Sequence, residues 1–207
     1  MQDPGLDAAY SLQTPEDNLR LYRDWAENYD RDFAEGHGYV LPLRVAEGFV
    51  GKAGEGPVLD LGAGTGLCGE ALHRLGIDPV DATDLSREML DVAEAKVIYR
   101  RLFTGNMLDR LPVEDGVYAG AISSGTFTHG HVGPEALVEV LRILRPGGLC
   151  ALSVNRAHYE SKGFASALDQ LSKQIMDLDL TDVAIYRDGA EGAHSGDRAF
   201  VVTFRKN

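Results

Sequence analysis

The sequence predicts an α/β fold, a doubly wound sheet that is mostly parallel and ends in a C-terminal antiparallel hairpin. Three observations predict it. Short apolar runs alternate with amphipathic segments through most of the chain, the pattern of a parallel sheet covered by helices on both faces. A glycine-rich turn, Gly62 to Gly66, follows the first of those runs. Near the C terminus two β-branched runs follow one another with only a loop between them, as an antiparallel pair requires.

The elements can be read in order. Thr14-Pro15-Glu16-Asp17 has a hydroxyl cap, a first-turn proline and acids at the positive end of a helix, which predicts a helix running to about Gly36. A second helix follows Pro42, with Val45, Phe49 and Val50 on its apolar side. Val58 to Leu61 is strand 1, apolar and bounded by glycine. A helix spans Gly66 to Leu75, strand 2 runs from Pro79 to Thr83, and Ser86 caps a helix carrying Met89, Leu90, Ala93 and Val97. Leu102 to Thr104 is strand 3 and Val117 to Ile122 strand 4. Gly133-Pro134-Glu135 starts a helix with Leu137, Val140, Leu141 and Leu144, which Arg145-Pro146-Gly147-Gly148 stops ahead of strand 5, Leu149 to Val154. A helical stretch from about Tyr159 to Met176 precedes the hairpin, Val183 to Tyr186 with Ala199 to Phe204.

Composition bounds the rest. With 207 residues, 44% hydrophobic and 25% charged, the chain reads as one domain over 1–207, with helices in 1–50 and the sheet core in 51–207. No run reaches the roughly 18 apolar residues of a membrane span, and the start has neither a basic nor an apolar leader region, so a cytoplasmic protein without membrane contact is expected. Cys68 and Cys150 lie far apart in apolar segments and read as buried thiols. A net charge of −12 with scattered Lys and Arg argues against a nucleic-acid partner.

The chemistry gathers at Val58 to Gly66. A glycine turn after strand 1 lets backbone approach a ligand at the carboxyl edge of the sheet, and Asp84, ending strand 2, is spaced to accept from both hydroxyls of a ribose. Gly64-Thr65-Gly66-Leu67-Cys68-Gly69 also matches the GxGxxG of dinucleotide enzymes. Asp60 argues against that reading, because its carboxylate would repel a pyrophosphate and attract an ammonium or a sulfonium. A strand-end acid with no ligand is the alternative.

Asp60-Leu61-Gly62-Ala63-Gly64-Thr65-Gly66, followed by Asp84-Leu85-Ser86, resembles the class I S-adenosylmethionine-dependent methyltransferases, whose fold is Rossmann-like. Gly105-Asn106-Met107 with Leu111-Pro112 is similar to that family's turn after strand 3, and Leu144 to Gly148 to its turn into strand 5. Ile122 to Pro134, together with Tyr99 to Leu102, is similar to the Williams-Beuren region methyltransferase-like proteins. The resemblance spans about Tyr22 to Asn155. It implies that Gly62, Ala63 and Gly64 hold the methionine part of S-adenosylmethionine, that Asp60 orients its amino end and that Asp84 binds ribose. Leu85 would pack on adenine, while Asn106 and the Met107 backbone read its edge. Many relatives carry Asp where Asn106 stands. Ser124 and Phe127, just past strand 4, would sit near the methionine chain and the methyl group, though Phe127 as simple packing is an equal alternative. Thr65, Gly66, Ser86, Met89, Leu108 and Gly125 complete the implied cofactor set, with Tyr29 from the N-terminal segment.

Methyl transfer from a sulfonium requires alignment more than activation, and no metal is expected. An amine or hydroxyl acceptor would need a base, for which His129 and His131 are the candidates; a backbone-bonded His129 and a solvated His131 are the alternative. His37, Tyr29, Tyr39, Asn155 and Tyr159 are candidates to line an acceptor pocket, most simply for a small molecule. The family likeness also implies that Trp25 to Asp30 closes over the cofactor, against which stands a rigid cap. Two other classes remain open from sequence: a nicotinamide-dependent oxidoreductase and a noncatalytic cofactor-binding module.

Overall fold

Val58-Leu59-Asp60-Leu61 places four buried residues in succession, which only a strand covered on both faces allows, and they form β1 (Val58–Leu61). The computed structural model describes residues 30, 36–128, 132–190 and 194–207. Helix α1 (Leu41–Gly51) precedes β1, with proline in its first turn. Then follow α2 (Leu67–Arg74), β2 (Val80–Asp84), α3 (Arg87–Ala95), β3 (Arg101–Thr104) and β4 (Tyr118–Phe127). A 3₁₀ turn, Pro134–Ala136, leads into α4 (Leu137–Ile143) and β5 (Leu144–Asn155). Two short helices, α5 (Arg156–Ser161) and α6 (Phe164–Gln170), precede β6 (Ile175–Ala184) and β7 (Arg198–Lys206).

The seven strands lie in the order β3-β2-β1-β4-β5-β7-β6. The first five are parallel to one another, whereas β7 runs antiparallel to both β5 and β6. Strand order reverses between β1 and β4, and in open α/β sheets a ligand binds beyond the carboxyl ends of the strands at such a point. Alternate residues feed two cores. Val58, Ile122, Ala151 and Val201 pack with Val45 and Phe49 of α1 and Leu72 of α2. Leu59, Leu61, Ala121 and Leu152 face the other way, onto Leu137 and Val140 of α4 and Phe164 of α6. Cys68 and Cys150 are buried, free thiols. Among the described residues no helix is long and apolar enough to cross a membrane.

Ser86 caps α3 as expected, its Oγ accepting from the Met89 N–H. Other expectations need correction. Val97 lies past that helix, at φ 55° and 88% exposed, so it takes no part in the apolar face. Strand β4 runs five residues beyond Ile122, which puts Ser124 and Phe127 inside it. Strand β5 begins at Leu144, and the Arg145 to Gly148 turn is a bulge between the pairs Tyr118–Leu144 and Gly120–Leu149. The helix expected over Tyr159 to Met176 breaks at Gly163, which is left-handed at φ 74°, and ends before Ile175. Met176-Asp177-Leu178-Asp179-Leu180-Thr181-Asp182-Val183 alternates with the period of a strand and forms most of β6. Its acids stand on a sheet edge, where charge opposes pairing with another chain. The helix expected over Thr14 to Gly36 lies almost wholly outside the described residues.

Candidate active site

The turn after β1 is built from backbone bonds that only glycine geometry permits. The Gly62 and Ala63 N–H groups both donate to Thr83 O, at 2.9 and 3.0 Å, and the Gly66 N–H donates to Ala63 O at 2.8 Å. Gly62, Gly64 and Gly66 take φ of 65°, 55° and 90°, a region that L side chains enter at a cost. Their surroundings differ. A Cβ on Gly62 would meet Thr126 Oγ1 at 2.3 Å, whereas one on Gly64 would find nothing within 4 Å among the described residues. No described residue therefore screens the backbone at Gly64.

Two carboxylates brace this turn. Asp84, at the end of β2, accepts from the Gly64 N–H at 2.8 Å through Oδ2 and from the Ser86 N–H at 2.9 Å through Oδ1. Burial raises its carboxyl above the usual value, and those backbone donors pull it back. Asp60 is fully buried in β1. Its Oδ2 accepts from the Gly69 N–H in the first turn of α2, at 3.0 Å, and from the Tyr99 hydroxyl at 2.7 Å. Its Oδ1 has no hydrogen-bond partner among the described residues. Burial pushes the Asp60 carboxyl up to about 7, with the nearby Asp84 charge adding to the effect and the two donors opposing it.

The other expected residues divide. Leu85 and Leu108 stand at the carboxyl edge beyond β2 and β3, 44% and 45% exposed, apolar side chains left in solvent. The Ser124 Oγ is buried without a partner among the described residues, and next to it the Gly125 N–H donates to Ser153 Oγ at 2.9 Å. Ser86 and Met89 are consumed by the fold, one as the cap of α3 and the other in the core. Asn106 turns back on its own loop: Oδ1 accepts from the Leu108 N–H at 3.0 Å and Nδ2 donates to Asp109 at 2.9 Å, an Asx turn rather than a free amide. Met107 is buried. Phe127 is fully buried with its ring edge-on to Phe164, 6.0 Å between centroids, so the packing alternative describes it. Thr65 is buried and its hydroxyl donates to Asp30, whose carboxylate also meets Lys96 at 2.6 Å. Asp30 thus touches the glycine turn from a position 30 residues before Asp60.

Of the expected acceptor residues, Asn155 caps α5 by accepting from the Ala157 and His158 N–H groups. Tyr159 stacks on Phe164 and meets Phe200 edge-on. Tyr39 pairs with Tyr186, and its hydroxyl lies over Gly125, 2.7 Å from where a Cβ would be. His37 lies two residues before it, part-buried. Tyr29, Trp25, His129 and His131 lie outside the described residues. Among the described residues no three His, Cys, Asp or Glu side chains are grouped to hold a metal ion.

Comparison with known proteins identifies the family. A family model for a methyltransferase domain matches residues 58–148. Human methyltransferase-like protein 27 is 30% identical over 178 residues, covering 82% of this chain and 71% of that protein. The chain belongs to the class I S-adenosylmethionine-dependent methyltransferases. The ubiquinone biosynthesis O-methyltransferase of Psychrobacter arcticus is 31% identical over 160 residues, 74% of this chain and 62% of that protein. A TehB-like methyltransferase structure from Corynebacterium glutamicum shares the fold at a TM-score of 0.63 and 20% identity, over 91% of this chain and 99% of that one. This methyltransferase therefore uses S-adenosylmethionine, and the nicotinamide reading of the GxGxxG spacing is set aside. The third glycine has another cause: a Cβ on Gly69 would lie 2.1 Å from the Tyr99 hydroxyl. Tyr99, 39 residues from Asp60, enters the sequence analysis only within the Tyr99 to Leu102 likeness, and no spacing rule ties it to Asp60.

Proposed function

We propose that this methyltransferase binds S-adenosylmethionine across the glycine turn, with Asp60 facing the ammonium group, Asp84 the ribose hydroxyls and Leu85 the adenine, and that it methylates a small molecule. One observation carries most of this reading: Asp60 Oδ1, a buried carboxylate oxygen without a donor. An unsatisfied buried acceptor costs about 1–3 kcal/mol, more when charged, and a cationic donor would remove that cost. The open backbone at Gly64 and the exposed Leu85 and Leu108 fit the rest of the same ligand.

When bound, S-adenosylmethionine supplies an activated methyl group on a sulfonium sulfur. The chain's own part is to hold the two reactants in line and to keep water out. The Ser124 hydroxyl, unpartnered among the described residues at the end of β4, is available to position an acceptor or the methionine chain. His129 and His131 are proposed as bases for an amine or hydroxyl acceptor. A small-molecule acceptor is supported by the relative named for ubiquinone biosynthesis, and the net charge of −12 opposes a polyanionic one.

Titration calorimetry with S-adenosylhomocysteine tests the binding mode. Asp84→Ala should lower affinity by about one to two orders of magnitude, as a lost charge-assisted hydrogen bond implies. Asp84→Asn, which keeps one acceptor oxygen for the Gly64 N–H, should fall less while remaining clearly weaker than the parent. Unchanged affinity in a folded Asp84→Ala protein would reject the ribose assignment. Transfer of labelled methyl groups to fractionated metabolite pools, set against protein and RNA pools, tests the acceptor class; label confined to macromolecules would reject a small molecule.

A further inference from the structure

We propose that Tyr99 is a positioning residue for S-adenosylmethionine: its hydroxyl binds one oxygen of Asp60 and so keeps the other directed at the ligand's ammonium group. The inference rests on the reading of Asp60 as the ammonium partner and adds a residue that no strand-end or glycine motif contains.

The geometry comes from three separate segments. Tyr99 lies between α3 and β3, where the Arg100 N–H donates to Val80 O at 2.8 Å and carries the segment back to the sheet. Its ring crosses the first turn of α2. A Cβ on Gly66 would come within 3.0 Å of that ring and one on Gly69 within 2.1 Å of its hydroxyl, so both glycines clear the path of a tyrosine. The Tyr99 hydroxyl and the Gly69 N–H both converge on Asp60 Oδ2. Two donors on one oxygen fix the carboxylate plane, and Oδ1 is left without a donor among the described residues. A ring required only for packing would need no hydroxyl, and burying a hydroxyl costs free energy unless it finds a partner.

The charges around Asp60 give the proposal a measurable sign. Burial raises the Asp60 carboxyl to about 7, while the Tyr99 hydroxyl and the Gly69 N–H favour the ionised form. From β2, Asp84 disfavours that form. From α2, the Cys68 thiol is pushed well up by burial and then by Asp60, and is neutral. Tyr99 itself is raised well above its usual value, first by burial and then by the Asp60 charge, and so remains a proton donor at neutral pH. Lys96, at the end of α3, is held by Asp30 and Glu70. Deleting the Tyr99 hydroxyl therefore raises the Asp60 carboxyl further, and at neutral pH fewer molecules present a charged partner to an ammonium group.

The test is calorimetric titration with S-adenosylhomocysteine between pH 5.5 and 8.5, on the full chain and on Tyr99→Phe, Asp60→Asn and the double variant. The parent should lose affinity as pH falls through the region near 7. In Tyr99→Phe that midpoint should move upward, with about a three- to tenfold loss at pH 7 and near convergence at pH 8.5. Adding Tyr99→Phe to Asp60→Asn should change nothing further. Equal losses at every pH, or the same loss in the Asp60→Asn background, would show that Tyr99 only packs and overturn the proposal. Full affinity in Asp60→Asn would overturn the ammonium assignment and this inference with it. A second measurement needs no Tyr99 variant: the buried Tyr99 hydroxyl proton should give a slowly exchanging resonance that shifts as Asp60 titrates. A resonance indifferent to pH near 7 would also overturn the proposal.

Discussion

At the ends of β1 and β2 polar side chains hold the backbone and still have capacity to spare, whereas at the ends of β4 and β5 most are used up. Asp60 and Asp84 each accept backbone N–H bonds, yet one Asp60 oxygen remains unpartnered among the described residues. Across the switch point, Ser123 donates to Leu61 O, Ser153 accepts from the Gly125 N–H and Asn155 accepts from two N–H groups of α5. Ser124 is the exception. The difference lies in the donor and acceptor inventory. A carboxylate offers about four lone-pair sites and can brace a turn while receiving a ligand; a hydroxyl or an amide oxygen is soon saturated. The β1–β2 edge is thus built and receptive at once, whereas the polar groups of β4 and β5, Ser124 apart, are committed to the fold.

The contrast can be broken most sharply inside the glycine turn. Gly62→Ala should be the largest disturbance, since the new Cβ adds a left-handed penalty of about 1–2 kcal/mol to an overlap with Thr126 costing about 1–3 kcal/mol more. Thermal or denaturant unfolding measures it. Gly64→Ala should carry only the conformational part, because nothing among the described residues stands within 4 Å of the new Cβ, yet it should lower S-adenosylhomocysteine affinity by filling the approach to this backbone. Equal stability losses would show that the two glycines do not differ as described.

Asp60 supplies the next test. Its carboxyl rises from 3.8 to about 7 on folding, so between those values the folded chain holds a proton that the unfolded chain has released. The stability this contributes is complete below 3.8 and is lost as pH rises through about 7. Asp60→Asn removes that loss. The ligand-free variant should therefore gain stability relative to the parent from pH 5 to about pH 7, by up to about 1.4 kcal/mol per unit crossed, and the gain should level off above that. Shifts at Asp115 and Glu139 run downward and are common to both proteins, so they cancel in the difference. Parallel unfolding curves across that range would place the Asp60 carboxyl at its ordinary value.

The smallest effect should come from the other half of the site. Ser153→Ala leaves the Gly125 N–H without its acceptor and should cost about 1–2 kcal/mol in stability, with S-adenosylhomocysteine affinity kept within about twofold. A large affinity loss in a stable Ser153→Ala protein would mean that β4 and β5 hold the cofactor as directly as is proposed for β1 and β2.

Much of this was legible in the sequence by itself. The four-residue apolar run of β1, the Ser86 cap, the glycine turn and the acid closing β2 are all local patterns, set by side-chain period, capping chemistry and backbone freedom, and they determined the fold class and the cofactor. Where a local pattern goes unread, as in the alternating stretch from Met176 to Val183, whose first residue closes the expected helix and whose last opens the expected strand, the signal is present but hidden behind the helical stretch before it. Other features were decided only by tertiary structure. Phe127 became core because β4 continues past its apolar run onto Phe164, and Asn106 closed its own turn. Asp60 acquired Tyr99 from a segment 39 residues away. The physical reason is common to the three: what a side chain touches depends on how far strands extend and which segments cross, and those follow from packing of the whole chain, while a glycine turn or a helix cap is settled within a few residues of itself.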